Sequence, residues 1–265
     1  MIAGPSVQDG SATSADAHLE RMGERLTMND LLQRAIAAHG GLDRFNQFRT
    51  VSVDISIGGA LWLLKVRQEQ SNVRVTVDLH QERTVFAPFE LPNQHSVFTP
   101  QRLTVETNQG AVVQERANPR AAFAGHTRET PWDDLDQLYF SGYAMWTYLT
   151  VPFCFTWPGF EVAEIEPWQE ENETWRRLAV TFPPHLASHS AQQTCYFGAD
   201  GLLRRHDYVD EIAGNFPAAL YISEYQDVSG ILLPTKRRVF MRQPDNTPAL
   251  DSVVISIDLE QIRFG

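Results

Sequence analysis

From residue 51 the chain alternates apolar and polar positions. Val51, Val53, Ile55 and Ile57 are separated by Ser52, Asp54 and Ser56, and after Gly58-Gly59 the pattern returns as Val73, Val75, Val77 and Leu79 between Arg74, Thr76 and Asp78. Side chains on a strand point alternately to two faces, so a period of two marks half-buried antiparallel strands. Shorter strands are predicted over residues 61–67, 83–86, 102–106 and 111–114. In the second half, strands are predicted over 160–166, 175–182, 193–197, 202–209, 219–225, 231–241 and 252–262. Ala199-Asp200-Gly201 turns one hairpin, and residues 227–230 turn another.

Two stretches break this alternation with helical spacing. Leu31, Leu32, Ala35 and Ile36 share one helical face over residues 27–39, with Thr27 as the expected cap and Gly40-Gly41 as the stop. A second short helix is expected over 42–48. Asn118-Pro119-Arg120 opens another short turn, and Thr130-Pro131-Trp132 reads as a helix start with Thr130 capping and Pro131 in the first turn. That helix is predicted to reach about residue 149. It is rich in aromatics: Trp132, Tyr139, Phe140, Tyr143, Trp146 and Tyr148. The order is helix, strands, helix, strands, with no internal repeat and no linker. It predicts one domain over residues 27–265, a continuous antiparallel sheet with inserted helices, behind a disordered leader of residues 1–26. Met28 is a second candidate start.

Charge narrows the partners. The net charge is −11, which disfavours nucleic acid and anionic membrane surfaces, since both need a basic face. The leader lacks the basic start and apolar run of a signal peptide, so a cytoplasmic location is expected. The longest apolar run is too short for a transmembrane segment. Cys154 and Cys195 sit among aromatic and apolar residues and read as buried free thiols rather than a disulfide framework.

The His39-Gly40-Gly41 helix end followed by Phe45 and Phe48 resembles the LolA-like lipoprotein-carrier family and its bacterial relatives. So do Tyr196-Phe197-Gly198-Ala199-Asp200-Gly201-Leu202-Leu203 and Val228-Ser229-Gly230-Ile231-Leu232-Leu233-Pro234-Thr235. The resemblance covers most of residues 28–265. It implies a mainly β, α+β fold: a curved antiparallel half-barrel with helices closing the concave face over an apolar cavity that takes up acyl chains. The carriers are periplasmic, and this chain departs from them in showing no signal peptide pattern.

On that frame the aromatic helix is the expected lid. Trp132, Tyr139, Tyr143 and Trp146 would line a cavity suited to a ligand with one polar end, or would simply pack as core. Arg204-Arg205-His206-Asp207-Tyr208 is the densest polar stretch in any predicted strand, and a neighbouring hairpin carries Tyr221, Ser223, Tyr225, Lys236, Arg237 and Arg238. If one face points inward, Tyr221 and Arg238 become ligand contacts, with Arg238 fixing a carboxylate. His189 or His206 would then serve as a base and Tyr208 as an acid. If it points outward, these residues form a solvated face with cross-strand ion pairs.

Other patterns exclude more than they suggest. His185 and His189 are four apart but lack the glutamate of a zinc-protease motif and follow Pro183-Pro184, so no metal site is expected. There is no Gly-rich phosphate loop, no Gly-x-Ser-x-Gly elbow around Ser141 or elsewhere, and no cofactor motif. Asp133-Asp134 suit a helix start, and Glu164, Glu166, Glu170, Glu171 and Glu173 read as a solvated turn. The expectation is a protein that binds a small apolar or amphipathic molecule. The alternatives are an enzyme using His/Tyr acid–base chemistry on a hydrophobic substrate in the same cavity, and a module pairing through a sheet edge.

Overall fold

A computed structural model describes residue 1, residues 29–66 and residues 69–265. The expected leader, the Thr27 cap and the alternative start at Met28 lie outside the described residues. The first described helix, α1 (Asp30–Ala38), is capped by Asn29, whose side chain accepts the backbone N–H groups of Leu31 and Leu32. Its buried face is Leu31, Leu32, Ala35 and Ile36, the face given by the spacing. It ends at Gly40, φ +116°, where an added Cβ would lie 2.1 Å from the carbonyl oxygen of Gly230. Only glycine allows this close approach, which sets the helix end on the turn before Ile231. A short α2 (Leu42–Phe45) follows.

The strands are β1 (Thr50–Gly58), β2 (Gln70–Asp78), β3 (Thr84–Ala87), β4 (Gln94–Thr99), β5 (Arg102–Thr107), β6 (Val112–Ala117), β7 (Glu161–Glu170), β8 (Glu173–Thr181), β9 (Gln192–Phe197), β10 (Leu203–Asp210), β11 (Phe216–Val228), β12 (Ile231–Arg242), β13 (Pro248–Ala249) and β14 (Ile255–Phe264). They form one antiparallel sheet in the order β6-β5-β4-β3-β2-β1-β14-β12-β11-β10-β9-β8-β7, with β13 on β12. It is a curved half-barrel that does not close. The first and last strands pair in the middle, with Ile55 opposite Leu259 and Ile57 opposite Ile257. The chain thus builds one wing outward from β1, crosses through a helix, and builds the other wing back to β14.

The elements differ from the sequence reading in several places, the short β13 among them. Residues 61–66 belong to a helix, α3 (Ala60–Val66), and not to a strand. Ala, Leu and Lys favour helix, and Leu61, Trp62 and Lys65 share its buried side. Strand β4 carries the polar sequence Gln-His-Ser before Val97, which hides its alternation. The aromatic helix is α4 (Asp134–Thr150), and its cap is Asp133, not Thr130. Asp133 accepts the N–H of Asp136 at 2.8 Å while Asp136 accepts the N–H of Asp133 at 3.3 Å. Arg116 donates to both carboxylates, tying the helix start to β6.

Helix α4 lies on the concave side, chiefly over β2, β3 and β4. Every residue from Leu135 to Thr150 is buried, so it is a core rod rather than an amphipathic surface helix. At Gly142 the helix touches the sheet: an added Cβ would sit 2.2 Å from Cγ of Phe98. Thr84 Oγ1 donates to the Gly142 carbonyl at 2.9 Å and fixes the contact.

Candidate functional site

Strand parity sorts the polar residues of the second wing. Paired residues on neighbouring strands share a face, so Arg205 opposite Tyr221 and Tyr221 opposite Arg238 define one row. That row is on the side away from α4. There Arg205 is wholly buried, clamped to Asp207 at 2.6 and 2.8 Å. Its guanidinium lies 4.7 Å from the Tyr196 ring centre and 5.5 Å from those of Trp168 and Tyr221. Tyr221 donates to Glu170 at 2.6 Å, and Arg238 pairs with Asp258 at 2.7 Å. Tyr221 and Arg238 therefore do not line the space beside α4: their parity turns them to the convex face, where acidic partners hold them.

The opposite row contains His206 opposite Leu220, Tyr208 opposite Ala218 and Arg237 opposite Ile222. These point toward α4. His189, on the loop between β8 and β9, closes the group. Its ring stacks on Tyr208 with centres 3.8 Å apart and planes 7° apart. Its Nδ1 is 3.3 Å from the Tyr143 hydroxyl and 3.8 Å from Asp210, and its Nε2 is 3.0 Å from the Tyr148 hydroxyl. The Tyr148 and Tyr208 hydroxyls are 2.9 Å apart. Burial raises the pKa of all three phenols, so they stay neutral donors. The result is a hydrogen-bonded Tyr143–His189–Tyr148–Tyr208 chain with no solvent-facing member. It fixes α4 to the β8–β9 loop and to β10. A substrate in water cannot reach its reacting atoms in this arrangement.

Beside that chain is a second polar group. His39, Tyr148, His206, Tyr225 and Arg237, with apolar Val151, Leu203 and Ile222, surround a space of about 10 Å³, room for about one water. Burial pulls the His206 imidazole down to about 3 and His39 to about 4, so both are neutral at pH 7. Arg237 is buried with 1% exposure. It donates to the carbonyls of Pro234 at 3.0 Å and Tyr148 at 2.9 Å. Its Nε and the His206 Nε2 have no partner among the described residues. Burial lowers the Arg237 pKa to about 10, which leaves it charged at pH 7.

The four aromatic candidates on or before α4 do not converge on one space. Trp146 is fully buried, donates to the Asp78 carbonyl at 3.2 Å and leans on Trp157. Tyr143 is fully buried beside Tyr139. Tyr139 also reaches the floor of a surface cleft of about 390 Å³ between Pro100, Arg120 and the loop 183–188. Trp132 is half-buried over Lys65, whose ammonium donates to the carbonyls of Thr127 and Thr130. A second surface cleft of about 360 Å³ opens on the other flank of α4, between Phe86, Phe89, Leu91, Leu138 and Ser141. The expected open cavity under a lid is thus filled by the helix itself, because its aromatics pack into the concave face.

His185 lines the first cleft while His189 is in the core, so the two do not share a site. Among the described residues no three His, Cys, Asp or Glu side chains come together as a metal site. Cys154 and Cys195 are buried and unbonded, and burial pushes both thiols up.

No protein-family model matches the chain, and no curated protein matches it in sequence. Solved structures do. A LolA superfamily protein from Nitrosomonas europaea matches over 87% of this chain and 93% of its own, with a TM-score of 0.50 at 11% identity. A putative outer membrane lipoprotein-sorting protein domain from Vibrio parahaemolyticus matches over 89% and 91%, with a TM-score of 0.50 at 8% identity. The fold is LolA-like. A DUF1329 family protein from Desulfovibrio piger also aligns, at TM-score 0.48 and 12% identity. The likeness overturns the cytoplasmic placement read from the leader. One protein that shares this fold is described as a putative outer membrane lipoprotein-sorting protein domain, which does not fit a cytoplasmic placement.

Arg237 enters the sequence reading only within its basic hairpin, yet its inward place was legible; a buried acid outside the site, Glu82, was not. Ile231, Leu233 and Val239 are the buried odd positions of β12, and Arg237 is the charged residue in that row. Glu82 left no signal. It is buried outside any strand, accepts the N–H of Ala187 at 2.9 Å, and burial raises its carboxyl pKa.

Proposed function

We propose that this protein binds a small apolar or amphipathic molecule on the concave side of its half-barrel, between α4 and strands β10–β12, and that it works in the periplasm. The observation that carries the reading is the buried polar group around Arg237 and His206. An apolar interior with a few convergent, unsatisfied polar groups is the usual form of a small-molecule site. The LolA-like architecture, seen also in a lipoprotein-sorting domain, supports the same ligand class.

The structure is then the closed form. The space beside Arg237 has room for about one water, so a ligand enters it only when α4 shifts from the sheet. Affinity is reduced by the fraction of time the helix is shifted, and association is limited by that motion. The test is a titration with the fluorescent methyl ester of cis-parinaric acid, followed by stopped-flow mixing. We expect one ester per chain and an observed rate that levels off at high ester concentration. No saturable binding of either the ester or the free acid would overturn the reading.

A further inference from the structure

We infer that the ligand is an anionic amphiphile and that Arg237 receives its carboxylate, an assignment that rests on the binding reading above. Among the described residues, no carboxylate lies within ion-pair distance of Arg237, although Glu224 and Asp258 pair with Lys236 and Arg238 beside it on β12, and Asp207 and Glu170 with Arg205 on β10. Two carbonyls and the Tyr148 ring, 5.5 Å away, face this guanidinium, but a buried charge without a counter-ion is costly, and proteins hold such charges where a partner arrives. The geometry fits that partner. Two of the five N–H donors go to Pro234 and Tyr148, and Nε is among those left over, which leaves donors for a carboxylate. His206 Nε2 opens on the same space, and the neighbouring Val151, Leu203 and Ile222 suit an apolar chain.

Charge balance selects the head group. One guanidinium against one carboxylate leaves no net buried charge, whereas a phosphate monoester carries nearly two negative charges at pH 7. The same residue also connects to the helix. Arg237 Nη2 donates to the Tyr148 carbonyl of α4. A carboxylate competing for that donor would release one of the bonds that keep the helix against β12.

The full chain would be titrated with cis-parinaric acid, its methyl ester and dodecyl phosphate, for the native protein and for Arg237→Met, Arg237→Lys and Arg238→Met. We expect the native protein to prefer the acid over the ester by roughly 10- to 100-fold, the range of one charge-assisted contact. Arg237→Met should erase that preference, and Arg237→Lys, which keeps the charge without the fork, should retain part of it. Arg238→Met should leave the preference intact. Unliganded Arg237→Met should melt no lower than the native protein, because an apolar side chain replaces a charge with no counter-ion. Equal affinity for acid and ester would overturn the inference while the binding reading stands. A preference that survives in a folded Arg237→Met, or tighter binding of dodecyl phosphate, would also overturn it. No binding of any of the three would remove the binding reading with it.

Discussion

Glu82 is inside the molecule with one carboxyl oxygen bonded to the Ala187 N–H and the other without a partner among the described residues. Its pKa is raised by burial, so the folded chain keeps a proton that the unfolded chain releases. Its contribution is therefore most favourable below pH 4.5 and declines as pH rises toward the folded value. Glu82→Gln should raise the melting temperature more at pH 8 than at pH 4; equal shifts at both would show that the carboxyl is not held protonated. The histidines act in the opposite window. His39 and His206 are held near 4 and 3, so the unfolded chain takes up protons first as pH falls below 6.5. Stability is complete above 6.5 and is lost toward pH 3–4, at on the order of 1 kcal/mol per group per pH unit. In acid melts, His206→Leu should lose less stability than the native protein between pH 6.5 and 4. Parallel curves would contradict the neutral, buried imidazole.

Among the elements, α4 sets the character of the interior. Its start depends on the reciprocal Asp133–Asp136 cap, held to β6 by Arg116. Asp133→Ala should cost about 1 kcal/mol in chemical denaturation, and more if the Arg116 pair is lost with it. Gly142 is the point of closest approach. Gly142→Ala forces a methyl into the Phe98 ring, and overpacking of this kind costs about 1–3 kcal/mol. Because the cost falls on the closed form, the variant should also take up the parinaric ester faster than the native protein. Slower or unchanged uptake in a folded variant would mean that α4 does not gate the interior. The elements were the most legible level of the sequence. Period-two runs gave the long strands, and the spacing of Leu31, Leu32, Ala35 and Ile36 gave the buried face of α1. Residues 61–66 misled because a short apolar run suits a strand or a helix equally, and only tertiary contacts decide. The candidate site was less legible. His189, His206 and Tyr208, candidates from the sequence, come together, whereas Tyr221 and Arg238 take the outward of the two faces that the sequence leaves open. Alternation alone gives two faces and not which is inward, and a shift of one residue moves a side chain through the sheet.

Across the whole molecule, the half-barrel leaves a concave surface that something must cover, and here the chain covers it with its own most aromatic segment. A closed interior and the proposed binding are compatible only if the helix exchanges with the ligand. A ligand could sit elsewhere, since surface clefts, among them those of about 390 and 360 Å³ on the flanks of α4, compete with the interior. The direct measurement is photo-crosslinking of a diazirine-bearing fatty acid to the purified chain, with the labelled residues mapped by mass spectrometry. The account predicts labels on the concave residues of β10–β12 and on the inner face of α4, around Leu203, Ile222, Tyr148 and Val151. Labels confined to Pro183–Leu186 or to Phe89–Leu91, with the interior unlabelled, would contradict it.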